Sequence, residues 1–93
     1  MKAIDVVRSA LVLARSRLTE MPSYPIYASC VAQLEYLLST LDGRVAVDRS
    51  NLRTFTIGHY AAREFEESDE ELSRALKDAY LIAPNLADGS RIT

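Results

Sequence analysis

Three features of this sequence have the residue types that carry chemistry: Cys30, His59, and an acid-rich stretch from Glu64 to Glu71. A Cys-His nucleophile pair needs an ionisable thiol beside the imidazole. Cys30 instead stands at helical spacing between Tyr27 and Leu34, where a small core residue is expected. Histidine is the commonest general acid or base, and Glu64 is a candidate carboxylate to orient His59. No companion nucleophile or oxyanion donor set accompanies the two, so a small hydrolase built on His59 is the least favoured reading. A zinc site needs three or four converging ligands, whereas the chain has one cysteine and one histidine, in different segments. Its three glycines are isolated, unlike those of a phosphate-binding loop. No cofactor or metal is expected.

The acid-rich stretch places Glu64, Glu66, Glu67, Asp69, Glu70 and Glu71 within eight positions, interrupted by Phe65 and Ser68. Carboxylates in the first turn of a helix are favoured by the dipole and the free amides, which accounts for Asp69, Glu70 and Glu71. Glu64, Glu66 and Glu67 have no such explanation. Their functional reading is a negative patch for a basic partner surface, which speeds encounter and selects the partner more than it adds affinity. Glu66, Glu67, Asp69 and Glu70 are the candidate charged contacts. Of the five tyrosines, Tyr27 and Tyr80 fall on apolar stripes, while Tyr24 and Tyr60 are the candidate aromatic contacts.

These residues must be positioned by helices. Ile4, Val7, Leu11, Ala14 and Leu18 alternate at spacings of three and four, predicting a first helix over residues 4–18, with Val6, Ala10 and Leu13 widening its apolar face. Pro22 and Pro25 end it. A second helix runs from Ile26 to Leu41, stopped by Asp42-Gly43, and the short connection predicts an antiparallel hairpin. Arg44 to Val47 reads as a loop. Asp48 or Ser50 caps a third helical region, expected to break near Ile57-Gly58 and resume through Glu64. Ser68 and Glu71 have the spacing of a capping box opening a fourth helix, which Pro84 is expected to end, leaving residues 84–93 as a loose tail. The expected fold is all-α, a single-domain bundle of about four helices over residues 1–93.

Ninety-three residues, 48% hydrophobic and 26% charged, suit one domain with one core and little room for an internal active site. A net charge of −2 gives no global attraction to nucleic acid or to a membrane surface. Residues 1–47 hold five bases and four acids, and residues 48–93 hold six bases and nine acids, so the acidic excess is in the second half. One cysteine and no leader-like segment predict a cytoplasmic protein.

The run EFEESDEELSRALKDAY (64–80), DRSNLRTFTIG (48–58) before it, and the Met21-Pro22-Ser23-Tyr24 turn resemble the small helical immunity proteins of bacterial type VI secretion. The likeness extends from about Ile4 to Tyr80. It implies an inhibitor that binds a cognate effector toxin in the bacterial cytoplasm and obstructs its active site or substrate entry. It also implies two toxin chemistries, an NAD(P)-hydrolysing toxin of ADP-ribosyltransferase-like fold or an alarmone-synthetase toxin that makes adenosine pyrophosphates. The competing reading, motivated by the broad apolar face of the first helix, is a self-associating adaptor without a toxin partner. A homodimer of the free protein is compatible with either.

Overall fold

In a computed structural model, which describes residues 2–46 and 48–87, the first expected stripe becomes α1 (Ala3–Glu20), slightly longer than its periodicity predicts. Val7, Ala10, Leu11 and Ala14 are its buried central residues, while Ile4 and Leu18 are half-buried. A short turn leads into α2 (Pro25–Leu41). Pro25 occupies the first helical turn, where its missing N–H costs nothing, and Tyr24 before it is extended (φ −88°, ψ 107°). Cys30, Val31, Leu34 and Leu37 are buried along α2, whose most extensive helix contact is with α1.

The end of α2 is set by Gly43, whose φ of +84° is open to glycine at little cost. The Arg44 amide donates to the Ser39 carbonyl (2.9 Å) and the Gly43 amide to that of Thr40 (3.4 Å), a Schellman closure of the helix. Arg44–Ala46 form the expected loop, and Val47 lies outside the described residues.

The third helical region departs from expectation. It consists of α3 (Arg49–Arg53), α4 (Ile57–Tyr60) and a π turn (Ala61–Phe65). Asp48 caps α3 by accepting from the Asn51 amide at 3.2 Å. The break falls at Thr54–Thr56, ahead of the expected Ile57-Gly58, because Ile57 is a fully buried core residue that opens α4. The segment then widens into π geometry up to Phe65, where an α-helix ending at Glu64 was expected. Ser73 donates to the Ala61 carbonyl in this turn at 2.9 Å, and Tyr27 stacks on Phe65 with ring centroids 5.5 Å apart.

The last element, α5 (Glu70–Ala87), differs from expectation at both ends. Its cap is Asp69, not Ser68. The Leu72 amide donates to Asp69 Oδ1 at 3.2 Å, whereas the Ser68 hydroxyl points back to the Glu64 carbonyl at 2.8 Å, so the preceding helical turns still hold Ser68. Pro84 does not end α5. Burial of Ile82 and Ala83 carries the helix past it, and the exposed proline forfeits one backbone bond near the terminus. Residues 84–87 of the expected tail are therefore helical, and 88–93 lie outside the described residues.

Contacts of α5 with α1, α3, α4 and the π turn gather the elements around one core, centred on Leu34, Leu37, Leu52, Ile57, Leu72 and Leu76. The described residues form an all-α bundle without a strand, as the apolar spacings predict. Close packing is visible at Gly58, where an added Cβ would lie 2.6 Å from the Tyr80 ring. Gly58→Ala gains helix propensity of under about 1 kcal/mol but forces that ring aside, an overpacking cost of about 1–3 kcal/mol. The expected net result is a loss of about 1 kcal/mol in urea unfolding. A more stable variant would show that the ring yields freely.

Candidate interaction surface

The acid-rich stretch is not one patch in the fold. Asp69 is drawn inward: Arg17 Nε donates to its Oδ2 at 2.7 Å and Arg17 Nη2 to its Oδ1 at 3.4 Å, with the two side chains only 23% and 16% exposed. The Arg17 hydrogen bond holds the Asp69 carboxyl below the ordinary carboxylate range, assisted by the Leu72 amide and opposed by burial. Glu71 also reaches Arg17, at 3.3 Å, and Glu70 pairs with Arg74 one turn on at 2.7 Å. Each acid at the start of α5 thus has a basic partner within the chain, with Arg17 shared between Asp69 and Glu71.

Ahead of Asp69 the charge is less well matched. Glu66 has a long contact with Lys77 (3.8 Å), and Glu67 makes no ion pair or hydrogen bond among the described residues. Together with Ala62, Arg63, Glu64 and Ser68 they line a shallow polar cleft beside the π turn. Tyr24 borders it, donating its hydroxyl to Glu64 at 2.9 Å, which raises the tyrosine pKa because the anionic form would face a carboxylate. The Tyr24 ring meets Tyr27 edge-on at 5.1 Å, and Tyr27 stacks on Phe65, so the aromatics buttress the cleft from the hairpin side. Tyr24 is half-buried rather than freely exposed. Tyr60 is half-buried too, its hydroxyl 3.4 Å from that of Ser29 on α2. Of the six candidate contacts, the structure groups Glu66, Glu67 and Tyr24 around one cleft, assigns Asp69 and Glu70 to internal pairs, and seats Tyr60 against α2.

The groups with chemical potential are not assembled. Cys30 is fully buried and burial pushes its thiol up to about 12, so it is protonated at physiological pH. His59 is exposed and touches Tyr80 edge-on at 6.4 Å, while Glu64, expected near it, accepts from Tyr24 instead. Among the described residues there is no group of three His, Cys, Asp or Glu side chains able to hold a metal, and no helix long and apolar enough to cross a membrane.

Two positioning residues have no distinct signal in the sequence. Arg17 sits on the polar side of the first helix like its neighbours, yet it ties α1 to the start of α5. Gln33 of α2 accepts from the Thr56 amide (2.8 Å) and the Ile57 amide (3.1 Å) and donates to the Thr56 and Ser29 hydroxyls (2.9 and 3.1 Å). It thereby fixes the segment that leads to the cleft.

Residues 2–85 match the model of the Tsi6 family. Over 92 residues the chain is 41% identical to the immune protein Tsi6 of Pseudomonas aeruginosa, covering 99% of this chain and 97% of that protein. A solved structure of Tse6 in complex with Tsi6 contains a chain that superposes with a TM-score of 0.89 at 42% identity, covering 98% of this chain and 96% of that one. The structure of Tsi6 from Pseudomonas aeruginosa gives a TM-score of 0.86 at 41% identity, over 100% and 96% of the two chains.

Proposed function

Because the chain belongs to the Tsi6 family, we propose that it is an immunity protein that binds a cognate type VI secretion toxin in the bacterial cytoplasm and blocks it by obstruction. The observation that carries this reading is the near full-length likeness to Tsi6 of the Tse6 complex. It favours an inhibitor over an adaptor with no toxin partner. The blocked site uses a nucleotide, through either NAD(P) hydrolysis or transfer of pyrophosphate to an adenosine nucleotide. Such sites bind phosphate groups with basic side chains, and the cleft around Glu64, Glu66 and Glu67 offers charge of the opposite sign. In this reading Glu66 and Glu67 are toxin contacts with Tyr24 beside them. Asp69 and Glu70 support the surface from their internal pairs, and Tyr60 is a peripheral contact. The inhibitor itself supplies no reacting group.

Pull-down from the native cell, followed by assays for NAD(P) loss and for pyrophosphorylated adenosine nucleotides, tests the reading and separates the two chemistries. One activity should be captured, and excess purified chain should silence it. Capture of neither, or full activity in the presence of the chain, would sink the proposal.

The surface assignment has its own test. Both Glu66 and Glu67 are exposed, so the double Glu66→Lys, Glu67→Lys variant should fold normally. It should associate with the toxin about tenfold more slowly at low salt, with a weaker salt dependence, and protect co-expressing cells less well. Unchanged association would place the interface elsewhere on the bundle.

A further inference from the structure

We infer that the π turn Ala61–Phe65 is a positioning device for toxin recognition: it has one residue more than the core requires, and that residue turns Arg63 and Glu64 out into the cleft as contacts beside Glu66 and Glu67. This role rests on the reading of the cleft as a toxin contact, and it adds the backbone feature that shapes the cleft and one further contact, Arg63.

Ile57, Ala61 and Phe65 are all buried, at spacings of four and four. In an α-helix eight residues rotate the chain about 80° beyond two full turns, which would swing Phe65 off the line of Ile57. The π turn takes up that excess. Without residue 62 the spacings would be four and three, about 20° short of two turns, and an ordinary helix would seat the same three side chains on the core. The core therefore has no need of the extra residue. π turns are rare, and as single insertions in helices they are frequent at functional sites. Here the wider turn is secured by donors outside it. Buried Ser73 of α5 donates to the Ala61 carbonyl at 2.9 Å, the Ser68 hydroxyl to that of Glu64 at 2.8 Å, and the Asp69 amide to that of Phe65 at 2.8 Å.

What the extra residue changes is the surface. Ala62, Arg63 and Glu64, between the buried Ala61 and Phe65, are all exposed and all line the cleft. The Tyr24 hydroxyl holds Glu64 at 2.9 Å, joining the α1–α2 turn to the π turn. Arg63 makes no ion pair or hydrogen bond among the described residues, and the other charged side chains lining the cleft are acids. A toxin surface that is basic throughout would be repelled at Arg63. The matching surface therefore sets a carboxylate or a backbone carbonyl opposite Arg63 within a basic surround, a requirement that rejects other basic surfaces.

Deletion of Ala62 from the full chain tests this role, with the toxin captured by the native chain as the probe. The variant should unfold at the native urea midpoint or above. Because no charge is removed, association and its salt dependence should stay native while dissociation quickens about tenfold or more, the reverse of the pattern expected for Glu66→Lys, Glu67→Lys. Tyr24→Phe removes only the hydroxyl that holds Glu64. It should quicken dissociation about threefold in the native chain and have no further effect in the deletion variant, where Glu64 no longer meets Tyr24. Arg63→Ala should weaken capture about tenfold although it leaves the cleft more acidic. A deletion variant that is unfolded, or that unfolds at a lower midpoint, would show that the core needs the residue. A stable one that releases the toxin at the native rate would show that the π turn does not shape the contact. Either result, an equal Tyr24→Phe loss in both backgrounds, or native or tighter capture by Arg63→Ala would overturn the inference and leave the proposed function standing. A native chain that captures no toxin would remove both.

Discussion

Gln33→Ala is expected to lower the free energy of unfolding by about 2 kcal/mol, although it removes one partly exposed side chain from a helix and replaces it with the best helix former. The effect arises 23 residues away. Thr56 and Ile57 open α4, a single turn of four residues with no side-chain cap of its own, and their amides have no acceptor within that turn. Gln33 Oε1 accepts from both. Without it two partly buried donors lose their partner, each costing about 1–3 kcal/mol, and so short a helix cannot hold itself together. The lower end of that range applies because water can reach part of the site. Gln33→Glu keeps the acceptor and loses only the amide donors to two hydroxyls, so it should cost about 1 kcal/mol. Urea unfolding measures both losses, and hydrogen exchange should accelerate at the Thr56 and Ile57 amides in the alanine variant alone. Slow exchange at both amides in Gln33→Ala would mean that burial of Ile57 suffices to fix the turn.

The same residue shows what could be read from the sequence and what could not. α1 and α2 are legible because their apolar spacing is a local property, and the same positions that repeat in sequence are those that meet across the hairpin. The segment from Thr54 to Asp69 is not local in that sense. Its break is placed by Gln33 on α2, its π turn by Ser73 on α5, and its last aromatic by Tyr27. None of these partners is within helical reach in sequence, so propensity alone misplaces the break and keeps the π turn as ordinary helix. Pro84 is a similar case, where burial of the two residues before it outweighs the local stop signal. The acid-rich stretch reads as one patch because like residue types adjoin. The fold divides it by bringing Arg17 to Asp69 and Glu71, and the division isolates Glu66 and Glu67 as the acids with the least internal compensation.

That division predicts unequal consequences for neighbouring acids. Asp69→Ala should lose about 2 kcal/mol, about half from the missing cap on α5 and half from the Arg17 pair, which is less exposed than most surface ion pairs. Asp69→Asn retains a good capping side chain and removes the charge, so it should lose about 1 kcal/mol and separate the two contributions. The pH dependence carries a definite sign. The folded Asp69 carboxyl ionises below its unfolded value of about 3.8, so the unfolded chain takes up this proton first as pH falls. Its contribution is fully present above the unfolded value and is lost as pH drops through the lower folded value. The stability gap between the native chain and Asp69→Asn should therefore be constant from neutral pH down to about 5 and close below about 4. Unfolding curves collected across that window decide the matter. A gap that persists at low pH would show that the difference does not depend on the carboxylate charge facing Arg17, and the account of why this acid is withdrawn from the surface would fail with it.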